Sequence, residues 1–221
     1  MPAPRRRKTT AGDRELAGPP APFTPVDARL YRLASGGALV RIYAPFPYGT
    51  RPTTFRDVGP LNRFDHHRPD HLDSRGRDRG RGILYAAATM TCCAGEYFGD
   101  GAAITRHGNR VARIDVTSHL ELIDLRGPAA TGVGTAPAIS GVTQRATTQA
   151  WARWLYDHPD LRQADGIIYS AFHSSLDAVA LWERARRKVV CPRGKSWALE
   201  AAAVEPDLAI AAAALHLPIL D

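Results

Sequence analysis

The chain has 221 residues, 44% of them hydrophobic, and its 29 Lys and Arg outnumber its 22 Asp and Glu for a formal net charge of +7. This length suits one large domain with a sizeable core or two small ones, and no apolar run approaches the roughly 18 residues that span a bilayer, which excludes a membrane-spanning helix. Three cysteines, with Cys92 and Cys93 adjacent and Cys191 far off, exclude a disulfide framework and read as reduced thiols of a cytoplasmic protein.

Residues 1–24 are rich in Pro, Arg and Ala and lack an apolar period. With Arg5, Arg6, Arg7, Lys8 and Arg14 they read as a disordered basic tail ahead of a folded unit, 25–221. No apolar stretch follows the basic start, so it does not read as a secretory signal. The sequence PVDARLYRLA at 25–34 predicts a short helix stopped by Gly36 and Gly37. The alternating ALVRIY at 38–43 predicts a strand carrying Arg41 and Tyr43.

Residues 44–82 form a long irregular stretch full of Pro, Gly, Asp and His, the kind that is either functional or disordered. Within it Arg63 stands between Pro60 and Phe64, where a guanidinium serves either as a clamp on phosphate or carboxylate or as half of a structural ion pair. Asp65, His66, His67, Asp70 and His71 match no common zinc spacing and have no second Cys/His cluster, so they read as a polar surface loop and not a metal site. The Gly/Arg run at 75–82 reads as a flexible basic insertion. No aromatic residues interleave with it, which argues against direct nucleic-acid binding.

Residues 82–100, GILYAAATMTCCAGEYFGD, are the stretch most suggestive of chemistry. A short buried strand holds Tyr85, and an Ala- and Cys-rich helix then carries the carboxylate of Glu96, eleven residues further on, into apolar company. Such a carboxylate either takes part in chemistry or simply reaches water. Cys92 and Cys93 have no cationic neighbour to lower their pKa and read as packing. Strands follow at 110–116 and 120–125, then a Gly/Ala/Pro/Thr loop at 127–141. A helix over 144–158 sets Trp151 and Trp154 at core spacing and stops before Pro159. A buried strand at 165–170 carries Tyr169 and Ser170, an apolar run covers 178–182 with Trp182, a last strand covers 188–191, and an Ala-rich helical segment over 199–220 breaks at Pro206. Ser170, Ser174 and Ser175 cluster without a Gly-x-Ser-x-Gly elbow, so no hydrolase triad is supported. No Gly-x-Gly-x-x-Gly follows a strand, so a Rossmann site is not indicated. The pattern as a whole is α+β.

Several of these pieces, taken in order from about Leu39 to Val190, resemble the RES family, named for its Arg, Glu and Ser residues. They are the strand at 40–43, Thr54-Phe55, Asn62-Arg63-Phe64-Asp65, Leu84-Tyr85-Ala86-Ala87, Ala94-Gly95-Glu96-Tyr97-Phe98, Leu122-Ile123-Asp124-Leu125, Thr148-Gln149-Ala150-Trp151-Ala152 and Gly166-Ile167-Ile168-Tyr169. The eleven-residue step from Tyr85 to Glu96 fits as well. Better-studied members are toxins of bacterial toxin–antitoxin pairs that destroy NAD⁺.

The resemblance implies a compact single α+β domain similar to the ADP-ribosyltransferase fold, with mixed and antiparallel sheets forming an NAD⁺ cleft and helices flanking it. It implies NAD⁺ as substrate and no cofactor or metal. The implied reaction is glycohydrolase- or phosphorylase-type cleavage of the nicotinamide–ribose N-glycosidic bond. A helix-turn-helix antitoxin is the implied partner, with no membrane involved. Arg63, Tyr85 and Glu96 fall on the family's active-site positions, with Arg41 and Tyr43 as further contacts and Tyr169 and Ser170 on the substrate. Two positions depart from the pattern. The family's Tyr-x-Ser is Tyr169-Ser170-Ala171 here, so the serine's role falls to Ser170, to Ser174 or Ser175, or is lost. Asn62 stands where the family has Gly. A mono-ADP-ribosyltransferase and an inactive partner-binding module are the alternative readings.

Overall fold

The computed structural model describes residues 16–221. Alternating β-branched, aromatic and small side chains form the strands β1 (Leu30–Leu33), β2 (Ala38–Tyr43), β3 (Ile83–Ala87), β4 (Ile104–Thr105), β5 (Arg110–Val116), β6 (Leu120–Asp124), β7 (Gly166–Ser170), β8 (Asp177–Trp182), β9 (Val189–Val190), β10 (Ser196–Ala198) and β11 (Ile219–Leu220). The helices among the described residues are α1 (Met90–Phe98), α2 (Ala129–Gly132), α3 (Arg145–Asp157) and α4 (Glu205–Leu215). One sheet runs β1-β6-β7-β8-β3-β2-β5-β10 with β9 on β5, while β4 and β11 pair separately. Neighbours are antiparallel except β6 with β7 and β4 with β11. The fold is therefore a mixed α+β domain, as the sequence implies.

The sheet curls. On one face, Leu39 and Ile114 from one half meet Leu120, Leu122, Ile168, Val179 and Leu181 from the other, so that face closes on itself. On the opposite face, Ile42, Ile83, Ile123 and Ile167 pack under α1, α3 and α4 through Cys92, Trp151, Leu155 and Leu208. Each fully buried aliphatic side chain contributes about 1.5–3 kcal/mol.

The sheet parts at β2 and β3, which share one registered pair, Val40 opposite Ala87. Beyond it the Ile42 N–H donates 3.1 Å to Sγ of Cys93 on α1. Ile83 exchanges both backbone hydrogen bonds, 2.8 and 3.0 Å, with Arg56 from the long irregular stretch. A helix thiol and a loop segment thus replace strand partners at the parting. The Thr89 side chain caps α1 by accepting the Cys92 N–H at 3.2 Å, which fixes where the helix leaves β3.

Several expectations need correcting. The predicted helix at 25–34 is instead β1, with Leu30 opposite Ile123 and Leu33 opposite Leu120; the open ladder of β6 outweighs a weak helical preference. The stretch read as a polar surface loop divides in two: Asp65, His66 and His67 are fully buried, while Asp70 and His71 are exposed as expected. The Gly/Arg run is pinned and not loose. Asp78 is buried and binds the Arg68 guanidinium at 2.6 Å, and Arg81 donates 2.7 Å to the His66 carbonyl and 2.5 Å to Asp157. Pro206 lies in the first turn of α4 and starts that helix instead of breaking it.

The expected tail falls partly outside the described residues. From 16 onward it lies along α3. Trp151 Nε1 donates 2.9 Å to the Ala17 carbonyl, and His158 Nε2 donates 3.0 Å to the Thr24 carbonyl. Among the described residues no helix is long and apolar enough to cross a membrane.

Candidate active site

On the helix-covered face, β8 presents Ala178 and Ala180, opposite Tyr169 of β7 and Tyr85 of β3 respectively. These small residues leave room for the two tyrosines, which point to the same side as Phe64. The Phe64 ring is fully buried 4.7 Å from that of Tyr169, and the Phe64 N–H donates 3.0 Å to the Tyr85 hydroxyl. That hydroxyl in turn donates 2.9 Å to Oδ1 of Asp65. Asp65 also accepts Nη2 of Arg56 on both of its oxygens at 2.8 Å, the Leu61 N–H at 2.5 Å and the Asn62 N–H at 2.9 Å. One buried carboxylate therefore ties together β3 and the loop that carries Arg63.

Glu96, expected in apolar company, is instead exposed on α1, and its Oε2 accepts the Tyr169 hydroxyl at 2.7 Å. Its Oε1 has no hydrogen bond among the described residues. Burial pushes both phenols well above the usual tyrosine value, with the Glu96 charge adding for Tyr169 and the Asp65 charge adding for Tyr85. Both hydroxyls therefore stay protonated and act as donors.

Four residues before Glu96, the Cys92 thiol donates 3.4 Å to the Asp177 carbonyl. Burial pushes Cys92 up to about 11 and Cys93 up to about 12. Both are packed thiols and not nucleophiles.

The loop between β7 and β8 lies against α1 in a notch made by Gly95 and Gly99. A Cβ on Gly99 would stand 2.4 Å from carbons of the His173 ring, and one on Gly95 3.4 Å from Cβ of His173 and 3.7 Å from Cβ of Ser174. His173 Nε2 donates 3.0 Å to Asp100. The two glycines at helical spacing were the signal for this docking, and sequence reading passed over them.

Arg63 is partly buried and donates through Nη1 to the Val142 carbonyl. The first turns of α3 steady its loop: Gln149 donates 3.0 Å to the Asn62 carbonyl and Arg145 3.3 Å to the Leu61 carbonyl. Behind it, Glu183 accepts His66 Nε2 at 3.1 Å, the Gly82 N–H at 3.0 Å and the Tyr156 hydroxyl.

Tyr85, Tyr169 and Glu96 are thus linked around Phe64, and Arg63 is the residue before Phe64, with its guanidinium on the Val142 carbonyl. Arg41 and Tyr43 point elsewhere. Arg41 is buried on the strand face it shares with Leu39 and Tyr43, donates to the Pro52 and Thr54 carbonyls at 3.2 and 2.8 Å, and is lowered by that burial to about 10. Tyr43 meets Ser196 of β10 at 2.9 Å. Ser170 stands on the opposite face of β7 from Tyr169, whereas Ala171 is buried in the cluster on the Tyr169 side. Ser174, beside Gly95, is the serine nearest α1 by these contacts. Among the described residues no three His, Cys, Asp or Glu side chains are grouped to hold a metal.

The RES domain matches residues 29–201. The chain belongs to the RES family. The RES match takes in every site residue above, and α4 and β11 follow it. The fold is similar to that in the crystal structure of the M. tuberculosis MbcT–MbcA toxin–antitoxin complex, with a TM-score of 0.50 and 16% identity over 80% of this chain and 92% of that one. At that identity the likeness is one of fold. Comparison with curated proteins finds no match.

Proposed function

We propose that this RES protein is the toxin of a toxin–antitoxin pair and degrades NAD⁺ by breaking the nicotinamide–ribose N-glycosidic bond. The observation that carries the reading is the Glu96 carboxylate, exposed yet oriented by Tyr169 through one oxygen, with the other left for a substrate. Family membership and the fold shared with a toxin–antitoxin complex support it.

In this mechanism the C–N bond breaks and its electron pair leaves with nicotinamide, which departs neutral. Positive charge develops on the ribose, and the fixed Glu96 carboxylate stabilises it without having to reorient. An oxygen of water or phosphate then adds to the ribose carbon and loses its proton, giving ADP-ribose or its phosphate ester. Arg63 grips the pyrophosphate with the guanidinium arm that Val142 does not hold. Tyr85 acts through the loop, because its hydroxyl is committed to Asp65 and Phe64. Ser174 supplies the hydroxyl that the family takes from the position of Ala171. NAD⁺ is the substrate and no cofactor takes part. The proposed partner is an antitoxin with a helix-turn-helix part that covers the cleft.

The test is NAD⁺ consumption by purified protein and by Glu96→Gln, in phosphate and in phosphate-free buffer, with nicotinamide and ADP-ribose products separated by chromatography. Turnover by the wild type alone supports the role of Glu96, and phosphate dependence identifies the nucleophile. Full activity in Glu96→Gln would sink the assignment. Label from NAD⁺ appearing on protein would point to a transferase. One observation favours a second reading, an inactive partner-binding module: Ala171 sits where the family has its serine. Absence of turnover in both buffers would select it.

A further inference from the structure

Phe172 keeps 59% of its surface exposed although it follows a buried strand. It is not on a loose loop. The Ala171 N–H donates 2.8 Å to the Leu176 carbonyl, the Ser175 N–H donates 2.8 Å to the Ala171 carbonyl, and the Leu176 N–H donates 3.3 Å to Oγ of Ser174. His173 locks the turn into the glycine notch of α1 and onto Asp100. An apolar ring held rigidly in the open forgoes the burial that phenylalanine usually finds.

Its neighbours give that exposure a use. One ring edge rests on Gly141, where a Cβ would stand 3.1 Å from Cδ2, and the His173 ring lies edge-on at 5.1 Å. The residue after Gly141 is Val142, whose carbonyl holds the Arg63 guanidinium. The residue after Phe172 is His173, which lies along α1 from Gly95 to Gly99 and so flanks Glu96. The exposed ring is thus linked by adjacent residues to a cation on one side and a carboxylate on the other. Aromatic faces stack on nucleotide bases whatever the base, since each has a π-face.

We infer that Phe172 is a substrate-binding platform on which a flat heteroaromatic ring of the dinucleotide stacks beside Arg63. The inference rests on the NAD⁺ reading above. Adenine and nicotinamide share the chemistry, and the substrate used in the test separates them.

The experiment compares wild type, Phe172→Ala and Phe172→Trp, with NAD⁺ and with nicotinamide mononucleotide, which lacks the adenine half. Thermal unfolding of each variant accompanies the kinetics, together with calorimetric titration of each protein with ADP-ribose and with nicotinamide mononucleotide. Phe172→Ala is expected to raise KM for NAD⁺ about ten-fold with kcat little changed and unfolding unaltered, and Phe172→Trp to restore it. If the ring carries adenine, KM for nicotinamide mononucleotide stays put and ADP-ribose binding weakens. If it carries nicotinamide, KM rises for both substrates and binding of nicotinamide mononucleotide weakens. An unchanged KM in Phe172→Ala with an active wild type overturns the platform alone and leaves the function standing. A wild type that neither turns over nor binds these compounds overturns both.

Discussion

The Tyr169 hydroxyl reaches across 2.7 Å from β7 to Oε2 of Glu96 on α1. Both residues owe their placement to their own elements. Tyr169 faces the helices because alternation along β7 puts it there, opposite the small Ala178. Glu96 faces β7 because it lies one helical turn after Cys92, whose thiol meets the carbonyl of Asp177 on the next strand. The phenol cannot ionise near neutral pH, so the carboxylate always meets a donor there.

Tyr169→Phe removes that donor and little else, since the ring still packs on Phe64. A hydrogen bond to a charged acceptor is worth about 1.5–3 kcal/mol. The expected result is a kcat for NAD⁺ cleavage lower by at least about ten-fold, with KM within a factor of about two. Steady-state kinetics would check this, and an unchanged kcat would mean that Glu96 does not depend on Tyr169 for its orientation.

Asp65 answers to more partners than any other carboxylate near the site. Asp65→Ala strips the counter-charge from Arg56 and the acceptor from Leu61, Asn62 and Tyr85 together. Breaking a buried pair from one side costs about 3–5 kcal/mol, and urea unfolding should show a loss of that size. Asp65→Asn keeps one acceptor oxygen and loses one of the two that Arg56 Nη2 shares. It should cost less, about 1–2 kcal/mol, and raise KM more than it lowers kcat, because Arg63 shifts with its loop. Equal stability losses in the two variants would contradict this picture.

The strands β3, β5, β6 and β7 and the helix that carries Glu96 were legible because apolar alternation is a local signal, whereas the short β4, β10 and β11 carry too few residues to show it. Tyr85, Glu96 and Tyr169 come together as the motif order suggests. Other features were not legible, for physical reasons. Asp65, His66 and His67 carry polar side chains, and nothing local says that Arg56, Glu183 and Tyr156 will arrive to satisfy them. The strand at Leu30–Leu33 is decided by the open edge of β6, a contact about ninety residues away along the chain. The work of Cys93 as a substitute strand partner for Ile42 depends on where β2 and β3 part, which no window of sequence contains.

The serines give a sharp test of face. Ser170 and Ala171 lie on opposite sides of the strand end, and Ser174 returns to α1 beside Gly95. Ser174→Ala is expected to lower kcat/KM for NAD⁺ by about five- to ten-fold, as one hydrogen bond of about 1–1.5 kcal/mol is lost. Ala171→Ser in that background places a hydroxyl on the Tyr169 side and should recover part of the loss. No effect of Ser174→Ala would remove Ser174 from the role, and a gain in kcat/KM from Ala171→Ser in the wild type would place the role at the Tyr169 side of the strand end.

Acid should weaken the fold in two stages. Burial lowers the pKa of both His66 and His67 below 6.5, and Glu183 offsets this only in part for His66. The unfolded chain therefore takes up these protons more readily than the folded one. Stability from these rings is complete above about pH 6.5 and falls as pH drops below it, by up to about 1.4 kcal/mol per unit for each proton. Glu183 behaves differently. Its burial alone would raise it, but hydrogen bonds from His66, Tyr156 and the Gly82 N–H hold it down at about 2, against 4.5 when unfolded. Its contribution is present above 4.5 and is lost as pH falls toward 2. Melting temperature measured from pH 8 to pH 3 should be flat to about 6.5, decline below it, and steepen under about 4.5. His66→Gln retains a donor for Glu183 and does not titrate, so the first decline should become shallower while the second persists. A wild-type profile that stays level down to pH 5 would show that these imidazoles are not held neutral by the fold.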